Sequence, residues 1–351
     1  MRWNNNLKRP IMRNWIPGEL VRSENEWLCR WLDTETLPFT DPFFHETLNK
    51  CHYLPVNSRR YQCVGSIPSL IEWADALPAV PPSAFIFHVS RCGSTLASQL
   101  LALDPDHIVL SEVPFIDDLL RLPYKNAAGP ALPPLEQSVK AAIGFYGQQR
   151  TGRERRLFIK TDSWHISFYR QLREWYPGVP FILLYRSPDE VLYSQRRKRG
   201  MHAVPGVIEP AVLGLEEMPP LPTGPDNPAG PDNPEAPDHP TFLDGHMTKV
   251  LERYLARFLE IARTDRHALL VNYNEGIPSI VEKIAILTNT ELSGTVREQM
   301  ELRSRYHAKY PGQVFSEAGP SVDPPFYLAR AMQLYRQLDR ERNHMAENKP
   351  G

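Results

Sequence analysis

Cysteine is scarce in this chain, long apolar runs are missing, and neither sign of charge prevails. The four cysteines (Cys29, Cys51, Cys63, Cys92) form no C-x-x-C pair. That argues against a zinc site and a disulfide framework and fits a reduced, cytoplasmic protein. No run reaches the roughly 18 consecutive apolar residues of a membrane span. Lysine and arginine number 40 against 41 aspartates and glutamates, so no field of one sign draws the chain to nucleic acid or an acidic bilayer. The opening "MRWNNNLKRPIMRNW" is basic but has no apolar stretch of the kind a secretory signal needs.

What the chain does have is proline, 35 residues in 351, roughly twice the usual share of about 5%. Six of these lie in "PDNPAGPDNPEAPDHP". This repeat sits within a segment, 203–243, that reads as an inserted mobile loop or polyproline-like excursion with too few apolar residues to form a core.

Residues 1–78 carry Trp3, Trp15, Trp27, Trp31 and Trp73 with little periodicity. They read as an N-terminal extension whose tryptophans pack on the main domain, 79–351. From residue 84 an alternation sets in. The apolar runs "AFIFHV", "HIVLS", "RLFIKT", "PFILLYR" and "ALLVNY" are separated by helical patterns near 95–103, 113–121, 136–149, 165–176 and 188–199. Short apolar strands alternating with helices predict an α/β domain: a five-stranded parallel sheet flanked by helices. Further helices are expected at 248–262 and over "YLARAMQLYRQLDRERN".

Two stretches carry chemistry. The first strand runs into Ser90-Arg91-Cys92-Gly93-Ser94-Thr95 and then a helix. Unpaired amides at such a helix start attract an anion. Gly93 permits a positive φ, Ser94 and Thr95 add hydroxyls, and Arg91 adds a fixed charge. The loop lacks the lysine and the first glycine of a nucleotide-triphosphate loop. Cys92 has Ser98 six residues on, not the arginine of a phosphatase loop.

The second stretch, "FILLYRSPDEVLYSQRRKRG", places Arg186 at a strand's carboxyl end, where ligands bind in open α/β sheets. Ser187-Pro188-Asp189-Glu190 follows as a helix start with a capping-box pattern. Ser194 stands two turns beyond Ser187, roughly 10 Å along the helix and on the same side. A long arginine can partly close that gap, so Arg186 and Ser194 can converge on one phosphate.

Together these stretches resemble the sulfotransferases that use 3′-phosphoadenosine-5′-phosphosulfate (PAPS). "SRCGSTL" is similar to their 5′-phosphosulfate loop, with Arg91 in the basic slot and Cys92 where serine is commoner. "RSPDEVLYSQRRKRG" is similar to their 3′-phosphate motif, R-x-P-x-x-x-x-x-S-x-x-x-x-x-G, through Arg186, Pro188, Ser194 and Gly200. The resemblance covers residues 84–200 and extends loosely to "ALLVNYNEGIPSIVEKIAILTN". It implies a P-loop kinase-like topology, PAPS as sulfuryl donor without a metal, and a small-molecule hydroxyl acceptor. Arg91, Cys92, Gly93, Ser94 and Thr95 would hold the 5′-phosphosulfate; Arg186, Ser194 and Gly200 would hold the 3′-phosphate.

The acceptor hydroxyl needs a general base. Glu112 in "HIVLSEVPFIDDLL" ends the second strand, where several sulfotransferase groups carry a catalytic glutamate, although Val113 here separates it from Pro114. Lys160 in "LFIKTDSWH" is a candidate contact to the sulfuryl group or acceptor; Asp162 and His165 are candidate second bases. His88 lies inside a strand and reads as a satisfied core residue. Arg305 and Lys309 are candidates for a closing basic segment, although the family's R-K-G-x-x-G-x-x-K pattern is absent. The rival readings are a small-molecule kinase using Mg-ATP and an inactive nucleotide-binding protein.

Overall fold

A computed structural model describes residues 12–58, 62–125, 128–215, 239–309, 313–314 and 324–347. The N-terminal part gives β1 (Trp15–Arg22), β2 (Trp27–Asp33), α1 (Phe44–His52), β3 (Val64–Ser66) and α2 (Ile67–Ala74). Next come β4 (Pro82–His88), α3 (Ser94–Leu101), β5 (His107–Ser111), α4 (Pro114–Lys125), α5 (Leu135–Tyr146) and β6 (Arg156–Lys160). A 3-10 turn, Ser163–Phe168, leads into α6 (Tyr169–Trp175), β7 (Phe181–Tyr185), α7 (Pro188–Arg197) and α8 (Pro210–Leu213). The chain continues with α9 (His239–Thr264), β8 (Ala268–Asn272), α10 (Ile277–Leu287), α11 (Gly294–Ser304) and α12 (Ala329–Glu347).

The expected five-stranded parallel sheet is present, in the order β5-β6-β4-β7-β8. Phe85 pairs with Phe181, Phe181 with Ala268, and Ser111 with Lys160. Every residue of β7 is buried, as a strand covered on both faces requires. Phe181, Ile182, Leu183 and Leu184 are each fully enclosed and each contributes roughly 1.5–3 kcal/mol by burial. No helix among the described residues is long and apolar enough to cross a membrane.

The boundary expected near residue 78 is not where the contacts divide. One compact unit comprises Met1–Ser83 with Ser98–Lys160, the other Ala84–Ala97 with Thr161–Gly351. In the first unit, β1, β2 and β3 form an antiparallel sheet that packs with α2 on α4 and α5. Trp31 is buried there, 4.6 Å from Phe145 and 5.8 Å from Trp73. The extension thus belongs to the half of the chain containing β5 and β6, because its apolar faces are completed by helices of that half.

In the second unit, the segment after α7 is more structured than its proline content suggests. Ala203, Ile208, Val212 and Leu213 are buried through a 3-10 turn and α8, and α9 already begins at His239. These apolar residues precede the proline repeat and α9 takes up its end, so the expected loop 203–243 is structured at both ends. The repeat up to residue 238 lies outside the described residues.

Candidate active site

In the second unit, β4 delivers the chain into a left-handed loop: Ser90 has φ 66°, Arg91 φ 51° and Gly93 φ 80°. For residues with a Cβ this conformation costs about 1–2 kcal/mol each, so neighbours must impose it. His88 Nδ1 accepts from Ser90 N–H at 3.0 Å, and its Nε2 lies 2.9 Å from the Thr161 carbonyl. The ring is therefore neutral with its proton on Nε2, a core histidine that shapes the loop. A Cβ on Gly93 would stand 2.5 Å from Ile277 Cδ1 and 3.0 Å from Tyr273, so both conformation and space require glycine.

The helix α3 starts at Ser94, leaving its first amides without intrahelical partners. Ser94 and Thr95 are buried. Cys92 is fully buried, and its thiol donates to the Leu184 carbonyl at 3.5 Å. The thiol thus packs inward, and the backbone amide is the part of Cys92 suited to a ligand.

Arg186 follows β7 and is 9% exposed. Its Nε donates to Glu190 Oε2 at 3.0 Å, its Nη1 donates to the Arg91 carbonyl at 3.1 Å, and its Cζ lies 4.2 Å from the centre of the Tyr273 ring. The capping box expected from the sequence does not form. Ser187 is at the N-cap without a side-chain cap bond; its hydroxyl turns to Asp189 and Glu190 turns to Arg186. A charge-assisted bond to guanidinium outweighs a bond to a neutral amide.

The loop and the Arg186 segment interlock in both directions. Arg186 holds the Arg91 carbonyl, the Arg91 guanidinium donates to the Lys198 carbonyl, and Gln195 Nε2 donates to Ser90 Oγ at 3.2 Å. Ser194 sits half-buried on α7. The run "RRKRG" is not simply a solvated end, since buried Asp244 on α9 accepts from Arg196 at 2.8 Å and from Arg199 at 3.1 Å.

Basic groups also gather around His307. Burial depresses its pKa, and the charges of Lys309, Arg303, Arg91 and Lys198 press it further down. Arg303 itself holds a turn, donating to the carbonyls of Tyr306, His307 and Ala308 at 3.1–3.4 Å. Asp162 and His165 are both buried, 3.7 Å apart.

In the first unit, Glu112 is the residue after β5 and is also left-handed, φ 57°. Its N–H donates to the Lys160 carbonyl at 2.9 Å, and its carboxylate accepts from Lys160 Nζ. Lys160 is 0% exposed and the Glu112 side chain 22%. A solvated lysine is therefore excluded. The ammonium lies 5.2 Å from the centre of the Phe43 ring, and Phe43 stacks on His45 at 5.6 Å.

Six described residues other than glycine have positive φ, and Ser90, Arg91 and Glu112 are half of them. Such outliers concentrate at functional sites. Sequence reasoning missed Gln195, His202 and Asp244. Gln195 adjoins Ser194 and could have been flagged by that position; Asp244 is remote in sequence and gave no signal.

No family model matches this chain, and no curated protein matches it. It is similar to solved structures of sulfotransferases. A Mycobacterium avium enzyme shares 13% identity at TM-score 0.43, with 81% of this chain and 81% of that chain covered. A mouse enzyme, solved in complex with PAP, shares 10% at TM-score 0.38, covering 83% of this chain and 95% of that one. A Mycobacterium tuberculosis enzyme shares 14% at TM-score 0.38, covering 67% and 73%.

Proposed function

We propose that this protein is a sulfotransferase that moves a sulfuryl group from PAPS to a hydroxyl of a small-molecule acceptor. The observation that carries the reading is the interlock of the 90–95 loop with the Arg186 segment, two anion-seeking motifs 95 residues apart joined through the Arg186–Arg91 bond. A loop of left-handed residues opening a helix presents amides to an oxyanion. A second basic site fits a donor that carries a separate 3′-phosphate, which ATP lacks. Lysine is absent from residues 90–95, which disfavours the kinase alternative.

Bound PAPS would supply an activated sulfuryl group on a phosphate leaving group. The amides of residues 92–95 and the hydroxyls of Ser94 and Thr95 would bind the 5′ end, with Arg91 offsetting charge on the leaving oxygen. Arg91 stays protonated and donates no proton. Arg186, Ser194 and the residues leading to Gly200 would bind the 3′-phosphate. Glu112, at the carboxyl end of β5, would take the acceptor's proton. Lys160 would orient Glu112 and balance its charge.

A thermal-shift titration tests the reading, comparing 3′,5′-adenosine bisphosphate with ADP and Mg-ATP. A ligand selective for the folded state adds about 2.7 kcal/mol at 100 times its dissociation constant. Preference for the bisphosphate, weakened in Arg186→Ala and in the milder Ser194→Ala, is the expected outcome. Stabilisation by Mg-ATP alone would overturn the reading in favour of a kinase. Bisphosphate binding without turnover across an acceptor panel would point to an inactive binding protein.

A further inference from the structure

We propose that Gln195 is a positioning residue: through Gly200 and His202 it holds Ser90, and so the whole 90–95 loop, in the conformation that receives the donor's 5′-phosphosulfate. The inference rests on the donor reading above but concerns residues to which that reading gives no such role. Gln195 points inward from α7 and is 0% exposed. A buried primary amide must be satisfied on both sides, and its partners fix which way it faces. Gly200 N–H donates to Gln195 Oε1 at 2.7 Å, so the amide oxygen faces Gly200. The NH2 group then faces Ser90 Oγ at 3.2 Å and His202 Nε2 at 3.3 Å.

That orientation dictates the next group. Because Gln195 donates, His202 Nε2 accepts, leaving its proton on Nδ1, 3.4 Å from Ser163 Oγ. His202 is buried, and its carbonyl lies 3.1 Å from His246 Nε2. The ring therefore cannot swing away without breaking contacts on two sides.

Gly200 closes the arrangement. Its φ of −87° suits any residue, so conformation does not explain a glycine there. Space does, since a Cβ would stand 2.9 Å from His202 Cε1 and 3.3 Å from its Nδ1. The glycine that ends the expected 3′-phosphate motif is required for close approach to the imidazole. It thus acts on the other motif, the loop.

Ser90 is the first left-handed residue of that loop, with its N–H fixed by His88 and its hydroxyl fixed by Gln195. Removing the Gln195 amide releases the hydroxyl and orphans the Gly200 N–H. The amides downstream of Ser90 then lose their common aim.

The test is isothermal titration of wild-type protein and Gln195→Met, a near-isosteric change that removes only the amide. Three probes are used: 3′,5′-adenosine bisphosphate, 5′-AMP and 3′-AMP. The expected result is about a tenfold loss for the two ligands with a 5′-phosphate, equivalent to about 1.4 kcal/mol, and less than a twofold change for 3′-AMP. An equal loss for all three would mark Gln195 as merely structural and overturn the proposal. Unchanged affinity for all three would overturn it too. If wild-type protein binds none of the probes, the donor reading itself fails, which is a different result from either. Should Gln195→Met not fold, Ser90→Ala removes the other end of the same bond and is expected to give the same selective loss.

Discussion

The loop after β4 and the bend after β5 pose the same problem and solve it differently. Each turns left-handed at side-chain-bearing positions within three residues of the end of a parallel strand. The loop spreads its restraint over three side chains, since His88, Gln195 and Arg186 each hold a different atom of Ser90 or Arg91. The bend concentrates its restraint in one residue, because Lys160 holds Glu112 both through its backbone carbonyl and through its ammonium. A distributed restraint loses a fraction when one partner is removed. A concentrated one gives up its whole side-chain part at once: without the Lys160 ammonium only the backbone bond of the bend is left from that residue.

The largest expected effect therefore falls on Lys160. Replacing it with methionine keeps the volume but strips the carboxylate of its buried partner. Breaking such a pair costs about 3 kcal/mol or more. The unfolding free energy of Lys160→Met, read from urea titration, is expected to fall by that amount, and Lys160→Met with Glu112→Gln to recover most of it. If the single variant matches wild type, the bend is not held by the pair and the contrast with the loop is lost. Activity separates roles: a base at Glu112 predicts that the recovered double variant still lacks turnover.

A middle-sized effect tests the loop. Gly93→Ala adds about 1–2 kcal/mol of left-handed strain and a contact of 2.5 Å to Ile277 Cδ1, overpacking that costs about 1–3 kcal/mol. Ile277→Val removes that terminal carbon but leaves the 3.0 Å approaches to Ile277 Cγ1 and Tyr273 Cδ2, so the double variant is expected to regain part of the packing loss and keep the strain. Bisphosphate affinity and the urea midpoint read the two parts. If affinity survives Gly93→Ala, the loop is less tightly specified than its interlock implies.

How far these regions could be read in advance follows from how local their causes are. The five parallel strands were legible because each is a short apolar run bounded by turn residues. The loop and Arg186 were legible because residue order alone puts them at strand ends. Glu112 could be located but not its state, since the partner is 48 residues away and only the β5–β6 register brings it alongside. The same limit hid Gln195's tie to Ser90, across 105 residues, and Asp244's hold on Arg196 and Arg199. The capping box was misread for a related reason. Glu190 suits a helix start, but the strand delivers an arginine that takes it. Which helices cover the tryptophans of the N-terminal extension was not legible, because those residues reveal apolar character but not their partners.

The smallest expected effect asks whether acid weakens both regions. Each unit carries a buried histidine whose pKa lies below the usual 6.5, chiefly through burial. His107, beside the Leu101 carbonyl, Asp104, Asp106 and Arg156, is in the first unit; His246, beside the His202 carbonyl and Lys249, is in the second. A depressed pKa means the folded state binds fewer protons than the unfolded one. Stability is thus complete above the unfolded value and is lost as pH falls through the folded one. Between about pH 7.5 and 5.5 the urea midpoint should fall by an amount worth under about 1 kcal/mol per histidine, above the usual range in which carboxylates titrate. His107→Gln and His246→Gln should each flatten the slope. His307 contributes too, but part of its depression comes from Lys309, Arg303, Arg91 and Lys198, so salt should reduce that share. The burial-driven share of His107 and His246 should persist at high salt. A slope that salt abolishes entirely would trace the acid sensitivity to the basic cluster around the loop and remove both buried histidines from the account.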